Sequence, residues 1–141
     1  MIVLAGDLEL EHIGWAVNSI EGALPALEAL GFEKSAEAVD DKARNVRILI
    51  MENSGSSIEL VAPLGDKNPV SGFLSKNGPS PYHICFAADS DNLERVTGRL
   101  RQAGFKELIK AAPAPALGGD SVIFLYSKDI GIVELAIRAR K

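Results

Sequence analysis

The chain has 141 residues, 47% hydrophobic and 24% charged, with a net charge of −4 and a single cysteine, Cys85. That composition is ordinary for a folded domain with a sizeable core. An acidic balance with no basic stripe argues against a nucleic-acid partner, no stretch approaches the roughly 20 apolar residues that cross a bilayer, and one cysteine cannot form an intrachain disulfide. The start, "MIVLAGDLELEH", has no basic n-region, and the expected compartment is the cytoplasm.

In chain order, the first expected strand is 10–17, holding "EHIGWAV". Side chains alternate between the two faces of a strand. Ile13, Trp15 and Val17 fall on one face, and His12, Gly14 and Ala16 on the other. A helix follows. Asn18 with Glu21 fits a capping box, Ile20, Leu24, Leu27 and Leu30 form an apolar stripe, Pro25 lies near its first turns, and Gly31 occupies the left-handed C-terminal position. Three strand-like runs come next, at 32–38, 45–52 and 57–62, with "ENSGSS" as a hairpin turn. In "SIELVA" the apolar Ile58 and Leu60 share a face, and Glu59 is the lone charge on the other.

Residues 63–81 are rich in Gly, Pro and Ser and read as a linker with one or two helical turns in "PVSGFLSK". The pattern then starts again. "YHICFAA" sets Tyr82, Ile84 and Phe86 against His83, Cys85 and Ala87. Asp91 with Glu94 fits a second capping box, Leu93, Val96, Leu100 and Ala103 form a second stripe, and Gly104 stands where Gly31 stood. Strands are expected at 105–110, 121–127 and 131–137, with "SKDIG" as the last turn. In "IVELAI" Val133, Leu135 and Ile137 share a face opposite Glu134. Each half therefore reads β-α-β-β-β: module one at 8–62, linker at 63–81, module two at 82–138. A module this short has a thin core alone, so residues 1–141 are expected to form a single α+β domain.

Both histidines of the chain, His12 and His83, occupy duplicated positions, and Glu59 and Glu134 fall at matching places in the two modules. A lone histidine beside an apolar run is ordinarily a core or edge residue, and a lone glutamate in a strand ordinarily faces water. The joint repetition points elsewhere. A carboxylate inside a sheet needs a partner, and two imidazoles with two carboxylates suit a divalent Zn, Ni, Co, Fe or Mn with one or two coordination positions left open. Cys85 shares the face of His83, but its twin is Gly14, so it reads as a small filler.

The stretches "EHIGWAV", "IELVAP", "NPVSGFLSKNG" leading to "YHICFA", and "APAPALGGDSVIFLYSKDIGIVEL" resemble the vicinal oxygen chelate superfamily, the glyoxalase and bleomycin-resistance group, and within it the methylmalonyl-CoA epimerases. The resemblance implies two βαβββ modules forming a curled eight-stranded mixed sheet with helices on the convex face. It places His12, Glu59, His83 and Glu134 on the four metal-ligand positions. It further implies a homodimer, a small-molecule substrate (an acyl-CoA or a thiol adduct), and removal of a proton next to a carbonyl, with Glu134 and Glu59 as the proton-handling carboxylates. Three places depart from the epimerase pattern. "ALPALEALGF" lacks paired aromatics, Tyr126-Ser127 stands where His-Pro is usual, and Arg47 sits about where some epimerases carry a catalytic carboxylate. Alternative activities on the same scaffold are a lactoylglutathione lyase, an Fe(II) dioxygenase and a non-catalytic binding or resistance protein. Lys67, Lys76, Lys110 and Lys128, and the glycine turn at 116–120, are candidate contacts to a CoA-type ligand.

Overall fold

The computed structural model describes residues 7–113 and 121–138, and of 109–113 the backbone only. Two compact units divide these residues, one spanning His12–Tyr82 and the other made of the chain on either side of it. Among the described residues no helix is long and apolar enough to cross a membrane.

The first module opens with β1 (Glu9–Ala16) and α1 (Ile20–Ala29). The cap of α1 is Ser19, whose hydroxyl oxygen accepts from the Gly22 amide at 2.9 Å, and not the expected Asn18. The two candidates are neighbours in sequence, and Ser19 is the one with extended backbone, φ −149° and ψ 146°. Pro25 sits inside α1 without ending it. The helix stops at a Schellman motif: Gly31, at φ +91°, donates its amide to the Glu28 carbonyl, and Phe32 donates to Leu27. Ala23, Leu24 and Leu27 pack with Phe32 against the buried Leu49, Met51 and Leu60. Leu30, expected on this stripe, is 68% exposed, because the stripe has turned away from the sheet by the last turn.

The strand expected at 32–38 is interrupted. It forms β2 (Glu33–Lys34) and β3 (Val39–Asp41), both antiparallel to β4 (Val46–Asn53). Nine strands rather than eight therefore stand among the described residues. β4 turns through Ser54 and Gly55, both at positive φ, into β5 (Ser56–Pro63). A two-residue loop of this kind fits the right-handed twist of a hairpin. β5 returns to pair with β1 in parallel, giving the order β2-β4-β5-β1, with β3 beside β4. The linker holds α2 (Val70–Asn77). Its first turn is capped by Asn68, whose side-chain oxygen accepts from the Val70 and Ser71 amides at 3.0 and 2.8 Å.

The second module repeats the plan with β6 (Ser80–Asp89), α3 (Leu93–Gln102), β7 (Lys106–Pro113), β8 (Ser121–Ser127) and β9 (Gly131–Arg138), in the order β6-β9-β8-β7. A 3-10 turn over Ser90–Asn92 precedes α3, whose N-terminal flank Asn92 makes no side-chain cap bond. The far end of α3 matches that of α1: Gly104, at φ +98°, donates to Arg101, and Phe105 donates to Leu100. Leu93, Val96 and Leu100 pack with Phe105 on Leu125 and Leu135. Ala103, expected on the stripe, is exposed, and Phe105 just beyond it is the side chain that reaches the core.

Candidate functional site

In the first module, β1 and β5 run parallel with Gly14 beside Glu59. His12, two residues before Gly14, shares its face, so the imidazole and the carboxylate meet diagonally: Nε2 of His12 lies 3.4 Å from Glu59 Oε2. In the second module, β6 and β9 run parallel with Cys85 beside Glu134. His83 is again two residues before, and its Nε2 lies 3.2 Å from Glu134 Oε1. The two His–Glu pairs are built from the same strand register. Cys85 takes the place of Gly14, fully buried, as its reading as a filler requires.

The faces divide as the alternation predicts. Trp15 of β1 and Val17 just beyond it join the core under α1, and Ile84 and Phe86 of β6 join the core under α3. Ile13 is the exception, 38% exposed. On β1 and β6 the histidine side is the more deeply covered one, and His12, Glu59, His83 and Glu134 are all between 2% and 6% exposed. Burial of ionisable groups at this depth requires partners.

The next strand sets the surroundings. On β8, Phe124 is registered with Glu134, and its ring stands at 90° to the His83 imidazole, with centroids 5.9 Å apart. Its counterpart on β4 is Ile50, registered with Glu59. The sequence offered a signal for both, since each lies on the same alternating face as its glutamate's partner strand, but only knowledge of the register identifies them. Asp41 was also missed. It lies on the Glu59 face and is 1% exposed, with Arg44 Nη1 at 2.7 Å and the Arg44 amide at 3.2 Å.

Arg47 falls on the other side of the sheet. It is registered with Ala62 and shares the face of Leu49 and Met51, under α1. Its Nε lies 2.7 Å from Asp40 Oδ1, and its Nη1 lies 3.6 Å from Glu21 of α1. Hydrogen bonding to Arg47 holds the Asp40 carboxyl below its usual range, and the same bond raises Arg47. Lys67, Lys76 and Lys128 are exposed. The Lys110 side chain and the 116–120 turn lie outside the described residues.

The donor set suits a divalent cation. Two ligands at about 2.0–2.1 Å from one tetrahedral ion stand about 3.3–3.4 Å apart. Nitrogen–oxygen separations of 3.4 and 3.2 Å match that spacing, and are longer than the roughly 2.7–2.9 Å of a charge-assisted hydrogen bond. Each buried pair, His12 with Glu59 and His83 with Glu134, is made of residue types that could hold a metal ion.

Paired βαβββ modules, each with a buried His–Glu pair in identical register, define a two-module α+β protein with a His/Glu donor set. The sequence profile of the Glyoxalase/Bleomycin resistance protein/Dioxygenase superfamily matches residues 11–124. The chain is 32% identical over 130 residues to the ethylmalonyl-CoA/methylmalonyl-CoA epimerase of Cereibacter sphaeroides, covering 89% of this chain and 95% of that protein. It is 31% identical over 129 residues to the mitochondrial methylmalonyl-CoA epimerase of Homo sapiens, covering 89% and 72%. The crystal structure of methylmalonyl-CoA epimerase from Mycobacterium tuberculosis shares the fold, with a TM-score of 0.81 at 23% identity over 99% of this chain and 94% of that one. The chain belongs to the glyoxalase/bleomycin resistance protein/dioxygenase superfamily.

Proposed function

We propose that this protein is a metal-dependent epimerase of a 2-substituted malonyl-CoA thioester, methylmalonyl-CoA being the first candidate. The observation that carries the reading is the 32% identity, over 95% of its length, to an ethylmalonyl-CoA/methylmalonyl-CoA epimerase. Two buried His–Glu pairs in equivalent register support it.

In this reading modules 8–62 and 82–138 work as one domain, His12 and His83 hold the cation, and Glu59 and Glu134 complete its shell. A divalent ion there supplies Lewis-acid stabilisation of the negative charge that develops on the thioester oxygen when the neighbouring carbon loses its proton. Glu134, as the carboxylate, accepts the proton, and Glu59, its counterpart in the repeat, starting as the carboxylic acid, delivers one to the opposite face of the planar carbon, so that a turnover exchanges the protonation of the two. Two carboxylates, one per module, give the reaction a base for each stereoisomer. The face that carries them has Phe124 beside Glu134 and Ile50 beside Glu59, an apolar lining that keeps competing water from the exchanging proton. The resemblance further implies a cytoplasmic homodimer.

The test is interconversion of the two methylmalonyl-CoA stereoisomers by purified protein, followed as solvent deuterium uptake, together with elemental analysis. Turnover that disappears with a chelator and returns with one of Zn, Ni, Co, Fe or Mn is the expected result. Glu134→Gln should lower kcat by about 10²–10⁴-fold while the bound metal falls much less. Wild-type turnover in that variant rejects Glu134 as the base, and metal-loaded protein without deuterium uptake rejects the epimerase reading.

A further inference from the structure

The two modules are built alike, yet they differ in charge at one level of the sheet. Phe124 is registered with Glu134, and Tyr126, two residues on, is registered with Ile132. Tyr126 therefore lies on the Glu134 face, at the level of His83. Lys106, the first residue of β7, is registered with Tyr126 and shares that face. The phenol is 42% exposed and Lys106 is exposed. Neither side chain has a hydrogen bond or ion pair among the described residues, and neither is required by the core, which the preceding Phe105 fills.

The same level of the first module is occupied differently. Glu52 is registered with Ser57, two residues before Glu59, so it is the counterpart of Tyr126. Glu33 is registered with Glu52 and is the counterpart of Lys106. Both are exposed. A symmetric scaffold thus presents a phenol and an ammonium beside one His–Glu pair and two carboxylates beside the other. Residues directly opposite on neighbouring strands stand about 4.5–5.5 Å apart at Cβ, so Lys106 and Tyr126 can grip one oxyanion together, whereas Glu33 and Glu52 repel it.

We infer that Lys106 and Tyr126 form an anion subsite that fixes the direction in which the substrate lies, with its anionic portion over the second module. The inference rests on the acyl-CoA reading above. The ligand chemistry is an oxyanion on a thioester, and two parts of such a molecule carry one: the free carboxylate of the acyl group and the phosphates of the CoA. An ammonium and a neutral donor suit either, and in a chain of net charge −4 a lysine with no ion-pair partner among the described residues stands out locally as a positive contact for an anionic ligand.

Calorimetric dissociation constants test the inference independently of turnover. The probes are malonyl-CoA, coenzyme A alone, and malonyl-N-acetylcysteamine, which keeps the carboxylate and lacks the phosphates. Lys106→Glu should weaken malonyl-CoA binding about tenfold, and Tyr126→Phe about threefold. Glu52→Gln, the control on the other module, should leave it within about twofold. The loss should appear with only one of the two partial probes, which identifies the carboxylate or the phosphates as the bound group. Wild-type affinities in both Lys106→Glu and Tyr126→Phe overturn the subsite, as does an equal loss in Glu52→Gln. Failure of the epimerase reading shows differently, as absent turnover in the wild type.

Discussion

At the scale of single residues, the divergence that bears most on mechanism is Arg47. The sequence places it near a position where a carboxylate acts in some relatives, and one-dimensional alignment cannot say which way a strand residue points. A shift of one residue moves a side chain to the opposite face. The register with Ala62 puts Arg47 under α1, with Asp40 and Glu21 as its partners, so it neither supplies nor obstructs chemistry on the Glu59 face. Arg47→Gln should keep kcat/KM within about twofold of wild type and cause a small loss of thermal stability, read by calorimetry. His12, Glu59, His83 and Glu134 could be singled out in the sequence because each glutamate is the lone charge opposite an apolar stripe, and because the His–Glu pattern recurs in both modules; the strand register that sets each pair 3.4 and 3.2 Å apart could not. Tyr126 and Lys106 were not, since an exposed phenol and an exposed lysine look like any solvated surface until the strands are paired.

At the scale of elements, the helix ends show what local sequence encodes well. Gly31-Phe32 and Gly104-Phe105 were recognisable as stops, and both close with the same pair of backbone bonds. Alanine at either glycine forces a β-carbon into positive φ, at a cost of about 1 kcal/mol. The two sites should nonetheless differ. A β-carbon at Gly104 meets nothing within 4 Å, while one at Gly31 would stand 3.1 Å from Asn53 Nδ2, which donates to the Leu30 carbonyl. Denaturant titration should therefore find Gly31→Ala the more destabilised. The helix starts were read less well. Asn18 and Ser19 are chemically equivalent caps one residue apart, and the extended backbone that selects Ser19 is set by how the preceding strand leaves the sheet.

The segment before β1 is held in another way that sequence pattern does not reveal. Asp7, 5% exposed, receives Arg95 Nη2 of α3 at 2.8 Å and faces Arg99 Nη1 at 3.5 Å. The Arg95 hydrogen bond, opposed by desolvation and aided by the charge of both arginines, holds the carboxyl below its ordinary value of 3.8. A lowered folded pKa means that the carboxylate stabilises the fold above pH 3.8 and that this contribution fades as pH falls through the lower folded value. Asp7→Asn should lose stability at neutral pH and show a shallower acid limb in a plot of Tm against pH.

At the scale of the whole molecule, duplication made the architecture readable. A single βαβββ pattern of this length is ambiguous, but two in succession with matching helix stops and matching glutamates restrict the topology strongly. The part that escaped is the strand broken into β2 and β3, because an apolar-poor run such as "EKSAEAVDD" has no alternation from which to place an interruption. If four buried donors share an ion, its removal must also be felt by the fold, because binding to the native state alone raises stability with ligand concentration. Chelation should lower Tm in the wild type, and the difference should shrink in His83→Ala. Equal Tm with and without chelator in the wild type would mean that the native fold holds no such ion.

That broken strand leaves residues 36–38 exposed and outside every ladder, immediately after Ser35, whose amide and hydroxyl both donate to the Ile50 carbonyl and secure β2. Extra chain spliced between Ser35 and Val39 would loop outward with its ends already anchored on β4. Length can therefore drift here over evolutionary time, or be added by an engineer, while the strands bearing the histidines stay in step.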